Sequence, residues 1–187
     1  MYKDIIAVTN RHLCQSPFLE QIERICSVHP KALLLREKDL SEEAYETLAR
    51  EVLAICDAYQ VPCILHFFPE VAKKLQVDAI HLPLWKLQEY TSDLTVFSQI
   101  GTSTHSPAEA LKAQQLGATY ITAGHIYTTD CKKGLPPRGL DFLQNVCNAV
   151  TIPVYGIGGI KLDAAQINKV KSHGAKGVCI MSGMMHL

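Results

Sequence analysis

The chain predicts an α/β fold of the (β/α)8 TIM-barrel class with a short or missing final helix, on three observations. Eight short apolar, β-branched runs recur along its 187 residues. Most of them are continuous rather than alternating, as expected of parallel strands whose outer face is covered by helices. The stretches between them have helix length, which favours a closed barrel over an open doubly wound sheet of about five to seven strands.

The runs, in order, are Ile5–Val8, Ala32–Leu35, Pro62–Leu65, Ala79–Leu82, Phe97–Ile100, Thr119–Thr122, Pro153–Ile157 and Gly177–Met181. Helix signals fall between them. Ser41 caps a helix whose first turn carries Glu42 and Glu43, Ser106-Pro107 supplies a cap and a first-turn proline, and Gly117 and Gly174 sit where helices should stop. Two places look short of helix. Only Pro83-Leu84-Trp85-Lys86-Leu87 follows the fourth run, and few residues follow the eighth. A missing outer helix leaves apolar barrel surface bare, which predicts a homodimer.

With 48% hydrophobic and 19% charged residues, the chain has one substantial core to bury, so residues 1–187 are expected to form a single domain. Lys plus Arg number 18, as do Asp plus Glu, so no global field favours nucleic acid or an anionic membrane. No signal-peptide core is present, and no apolar stretch approaches the ~18 residues of a membrane span, so the expected location is cytoplasmic. Seven scattered cysteines without a CxxC pair suit reduced thiols rather than a zinc site or a disulfide framework.

In such a barrel the chemistry is carried by the loops after the strands. Gly156-Ile157-Gly158-Gly159 and Met181-Ser182-Gly183 follow the last two runs, where this fold often places a phosphate against backbone N–H groups. The alternative is that these glycines only make tight turns. Arg36 and Lys38 flank Glu37 after the second run. Alternation puts both cations at the mouth to meet an anion, unless they form surface pairs with Glu37, Asp39 or Glu43. Thr102 and Ser103 follow the fifth run as further substrate contacts. His125 follows the sixth beside Gly124 and suits proton transfer near neutral pH. His66, His81 and His105 occupy comparable positions as binding or packing residues. The pair His66 and His81 has no carboxylate nearby to complete a metal site, and no metal is assigned. The loop from Ile126 to Gly139 brings Lys132, Lys133 and Arg138 either as lid cations over an anionic ligand or as ordinary solvated charges, with Cys131 beside the lysines as a minor nucleophile candidate.

These segments together resemble the thiamine phosphate synthase and TenI superfamily. The resemblance runs through Leu35-Arg36-Glu37-Lys38, Gly101–Ser106, Gly124–Leu135, Ile157–Ile160 and Met181–Gly183. It implies the superfamily's barrel and a small phosphorylated thiazole as substrate. Synthases of the superfamily join a thiazole phosphate to a pyrimidine pyrophosphate with magnesium, whereas TenI-like members isomerise the thiazole. An Asn-Asp-Arg motif of synthases is replaced here by His66-Phe67-Phe68. Their Gln and Asp after strand four fall on the segment His81-Leu82-Pro83-Leu84-Trp85-Lys86, and an expected glutamine is Leu34. Where synthases have Gly-Pro this chain has Gly124-His125, as TenI-like tautomerases do. The resemblance therefore points to a cofactor-independent thiazole tautomerase, an isomerase, with His125 as acid and base. Arg36, Lys38, Thr102, Ser103, Lys132, Gly158, Gly159, Met181, Ser182 and Gly183 would bind its substrate. The alternatives are a thiamine phosphate synthase, which is a transferase, or a non-catalytic regulatory relative.

Overall fold

The structure is a computed structural model that describes residues 1–90, 94–129, 132 and 134–187. Asp130, Cys131 and Lys133 of the lid loop lie outside the described residues. Strands β1 (Ile5–Val8), β2 (Ala32–Leu35), β3 (Cys63–His66), β4 (Ala79–Pro83), β5 (Gln99–Thr104), β6 (Tyr120–Gly124), β7 (Val154–Ile157) and β8 (Gly177–Ile180) pair in sequence order. All pairs are parallel, and β8 returns to β1 to close the barrel.

Both faces of these strands are buried, which is why the sequence shows continuous apolar runs. Ile6, Val8, Leu34, Ile64, Tyr120 and Tyr155 belong to the cluster that fills the interior. Their neighbours Ile5, Ala7, Leu33, Leu35, Leu65 and Ile80 belong to the outer core beneath the helices. Close approach inside the barrel dictates Gly101. A Cβ there would lie 2.1 Å from Cζ of Tyr120 and 2.5 Å from Nδ1 of His81, so only glycine leaves room for those two rings.

The fifth strand departs from expectation. Phe97 follows a 3-10 turn at Leu94–Val96 and packs into the outer core, while the strand runs on through Thr102 and Thr104. Those threonines stay buried because Thr102 Oγ1 donates to the Leu82 carbonyl at 2.7 Å and Thr104 Oγ1 to the Thr122 carbonyl at 3.1 Å.

Eight helices are described: α1 (Phe18–Ser27), α2 (Glu42–Ala58), α3 (Pro69–Lys74), α4 (Leu84–Glu89), α5 (Pro107–Gln115), α6 (Gly139–Ala149), α7 (Ala164–Lys171) and α8 (Ser182–Met185). Ser41 Oγ accepts the Ala44 N–H and Ser106 Oγ the Glu109 N–H, as their cap positions require. The segment after β8 is shorter than a barrel helix but covers apolar surface. Met184 and Met185 are fully buried, and the Gln21 side chain of α1 donates to the Met184 carbonyl at 2.9 Å. Among the described residues no helix is long and apolar enough to cross a membrane, and the six described cysteines are unpaired.

Candidate active site

Extending the interior alternation past the apolar layer brings Arg36, His66, His81, Ser103, Thr122 and Gly124 to the C-terminal mouth. A cavity of about 260 Å³ opens there. Its lining unites segments far apart in sequence: Arg36 after β2, Ser103 and His105 at β5, His125 after β6, Lys132 from the loop between β6 and α6, Gly158 and Gly159 after β7, and Met181 and Ser182 after β8.

The glycine turn has two physical reasons to be glycine. Gly158 and Gly159 hold φ of 98° and 70°, the left-handed region that residues with a Cβ avoid. Space is also lacking: a Cβ on Gly158 would stand 2.3 Å from the His125 Cβ, and one on Gly159 2.4 Å from the Thr128 carbonyl oxygen. The Ile126 and Tyr127 N–H groups donate to the Ile157 and Gly158 carbonyls at 2.9 Å, clamping the two loops together. Among the described residues the Gly158 and Gly159 amides have no acceptor. Two donors without an acceptor among the described residues, on a left-handed turn at a cavity wall, have the geometry that suits an anion.

His125 is 6% exposed, and neither ring nitrogen has a hydrogen-bond partner among the described residues. Nothing in the described protein fixes its tautomer. A proton-relaying histidine is normally oriented by a second group, so its nitrogens are left for a ligand to satisfy.

At the end of β2 the two cations go their own way from the intervening acid. Glu37, 1% exposed, accepts the Thr9 hydroxyl at 2.7 Å and the Arg11 guanidinium at 3.0 Å. Asp39 accepts from Arg11 and His12, and these contacts hold its carboxyl well below the usual range, Arg11 first. The alternative, a surface pairing of Arg36 or Lys38 with Glu37 or Asp39, is absent among the described residues, where these acids pair with Arg11. Among the described residues Arg36 and Lys38 make no ion pair. Thr9 completes the arrangement by accepting the Arg36 N–H at 2.9 Å.

Beneath the cavity lies a polar layer. His81 meets the Tyr120 hydroxyl through Nδ1 and the Ser103 hydroxyl through Nε2, both at 3.0 Å, and Thr122 donates to Ser103 at 3.2 Å. Burial, with the Arg36 charge adding to it, pushes the His81 imidazole down to about 3. His66 stacks on His81 with ring centroids 5.9 Å apart and is held well below the usual histidine range, chiefly by burial. His105 lines the cavity with Nδ1 3.3 Å from Glu109. Burial and then Lys132 lower it, against the opposing pull of Glu109.

Most of the residues singled out from the sequence therefore meet at one cavity, but Lys38, Thr102, Gly183, His66, His81 and Arg138 are not among its lining residues. Lys38 is exposed beside the mouth. Thr102 lies on the outer side of β5, its hydroxyl spent on Leu82. Gly183 lines an adjoining cavity with Ser182 and His186. Thr104, of the segment Gly101–Ser106, also lines the main cavity, as do Thr122 and Thr129, which the sequence does not single out as substrate contacts. Strand alternation from Gly124 pointed to Thr122, but Thr129 is placed by a loop with no periodicity to read.

A family model described as thiamine monophosphate synthase matches residues 5–184. The chain belongs to the thiamine monophosphate synthase family. A thiamine-phosphate synthase of Clostridium acetobutylicum is 32% identical over 98% of this chain and 87% of its own length. One from Fusobacterium nucleatum is 32% identical over 97% and 88%. Among solved structures, the thiamine phosphate pyrophosphorylase from Pyrococcus furiosus superposes over all of this chain and 89% of its own, with a TM-score of 0.82 at 24% identity, which supports the fold.

These relatives overturn the thiazole tautomerase expectation, because the proteins matching nearly the whole chain carry the synthase name. The physical reason for the error is that Gly124-His125 reports an imidazole beside a phosphate cradle and not the reaction it serves. The magnesium that the resemblance associates with synthases does not fit the residues at this mouth. Phe67 and Phe68 follow β3, Pro83 ends β4 and Leu84 follows it, Glu37 is consumed by Arg11, and among the described residues no three His, Cys, Asp or Glu side chains gather to hold a metal.

Proposed function

We propose that this protein is a transferase of the thiamine-phosphate synthase type, which joins a thiazole phosphate to a pyrimidine diphosphate and releases diphosphate. The near-full-length similarity to relatives named thiamine-phosphate synthase carries the reading. The mouth cavity supports it, since the Gly158 and Gly159 amides, without an acceptor among the described residues, converge with Ser182, Arg36 and Lys132 on a space of about 260 Å³ suited to one ring bearing a phosphate.

In this reaction an electron pair of the thiazole forms the new bond to the pyrimidine's side-chain carbon, and the leaving diphosphate takes the pair of the broken carbon–oxygen bond. The protein's task is orientation and stabilisation of departing negative charge, with no proton to relay. His125, with no partner at either nitrogen among the described residues, then serves as a hydrogen-bonding wall for the thiazole phosphate. Gly158, Gly159 and Ser182 hold its phosphate, and Met181 packs against its ring.

Incubating the purified protein with both phosphorylated precursors, with magnesium and separately with chelator, tests the proposal. Equal amounts of thiamine phosphate and diphosphate are expected. A folded protein that binds the thiazole phosphate yet forms no thiamine phosphate under either condition would refute it.

A further inference from the structure

The mouth has a second, cationic half, which shares Arg36 with the cavity of the glycine turn. Register places Leu35 beside Leu65 and His66 beside His81, so Arg36, His66 and His81 sit in one layer across β2, β3 and β4. The chain then turns sharply. Phe67 adopts φ of 72°, held by its N–H donating to the His81 carbonyl at 3.1 Å and by the Phe68 N–H donating to the His66 carbonyl at 2.9 Å. That turn lays the Phe67 ring 6.2 Å from His66 and beneath Lys86, whose Nζ stands 3.9 Å from the ring centroid. Trp85 and Tyr90 flank the same ammonium at 5.8 and 5.5 Å.

Three features of this half point to an anionic ligand. Arg36, Lys38 and Lys86 make no ion pair among the described residues, the acids of the β2 loop being held by Arg11 and His12. All three charges act on the same imidazole, that of His66. His66 itself is 7% exposed, and its Nδ1 has no partner among the described residues. Like charges gathered around a buried, unpartnered donor or acceptor are unfavourable until an anion joins them. Lys86 also lies in the segment where the resemblance expects an acidic metal ligand. An ammonium there repels a divalent cation and can itself contact phosphoryl oxygens.

We propose that Lys86, together with Arg36 and Lys38, binds the diphosphate group of the second substrate directly, taking the charge-neutralising place of a divalent metal. The identity of that substrate rests on the transferase reading; the anion site does not.

Calorimetric titration with inorganic pyrophosphate tests the site in the intact protein. Affinity should change by no more than about twofold when chelator replaces magnesium. Lys86→Met keeps an apolar stem over Phe67 but removes the charge, and should weaken binding by about tenfold or more, whereas Lys86→Arg should stay near the parent. Circular dichroism of each variant checks that it is folded. Pyrophosphate binding that requires magnesium, or a Lys86→Met variant that binds like the parent, overturns the proposal. Metal-free binding without thiamine phosphate formation would instead retire the transferase reading and keep the site, and turnover with strictly magnesium-dependent binding would do the reverse.

Discussion

Gly158→Ala probes the packing of the phosphate turn against His125. With φ at 98°, an alanine there takes on the left-handed penalty of about 1–2 kcal/mol. Its Cβ would also meet the His125 Cβ at 2.3 Å and Cα at 2.8 Å, and the second of these is backbone that cannot swing aside. Overpacking of this kind costs about 1–3 kcal/mol more, for a total of about 2–5 kcal/mol. Gly117 provides the control, since it holds φ of 90° with nothing within 4 Å of a Cβ. Gly117→Ala should therefore lose only the conformational part, about 1–2 kcal/mol. Urea unfolding of both variants measures the difference, and Gly158→Ala in a His125→Gly background should recover part of it. Thiazole phosphate affinity should fall at least about tenfold for Gly158→Ala and remain unchanged for Gly117→Ala. Equal destabilisation of the two single variants would refute the claim that contact with His125 dictates the glycine.

Acid should destabilise the fold through His81. Its folded pKa of about 3 lies below the ~6.5 of an unfolded histidine, so between these values the unfolded chain holds a proton that the folded one lacks. Stability is full above pH ~6.5 and falls by about 1.4 kcal/mol per unit as pH drops toward 3, with His66 adding in the same direction. From pH 7 to 5 the His81 share is about 2 kcal/mol, and a His81→Gln variant with an unchanged pH profile by urea unfolding would contradict this. Tyr45→Phe removes a hydroxyl that donates to the Leu35 carbonyl at 2.7 Å and accepts the His66 N–H at 2.8 Å. The two buried groups left unpaired should lower stability by about 1–3 kcal/mol, whereas a change near zero by the same method would mean that the bridge contributes nothing.

The barrel was legible because burial on both strand faces writes itself as continuous apolar runs, and because Ser41 and Ser106 cap the helices they appear to cap. The fifth strand was misplaced because Thr102 and Thr104 look like loop residues until a neighbouring strand's carbonyl takes each hydroxyl. The glycine turn at the mouth was legible, but not its dependence on His125, a contact between residues 33 positions apart. Pairing of Glu37 with Arg11 is hidden for the same reason, and with it the release of Arg36 and Lys38. The reaction was the least legible link. One imidazole after β6, together with the absent synthase motif at His66-Phe67-Phe68 and the absent acid at His81–Lys86, pointed to a tautomerase, although neither feature reports the reaction.

A crystal structure with the thiazole phosphate bound tests the site most directly. The phosphate is predicted to accept hydrogen bonds from the Gly158 and Gly159 amides and the Ser182 hydroxyl, with the ring beside His125 and the Lys86 side of the mouth left open for the second substrate. A phosphate seated instead among Arg36, Lys38 and Lys86, with the glycine amides unengaged, would contradict the account.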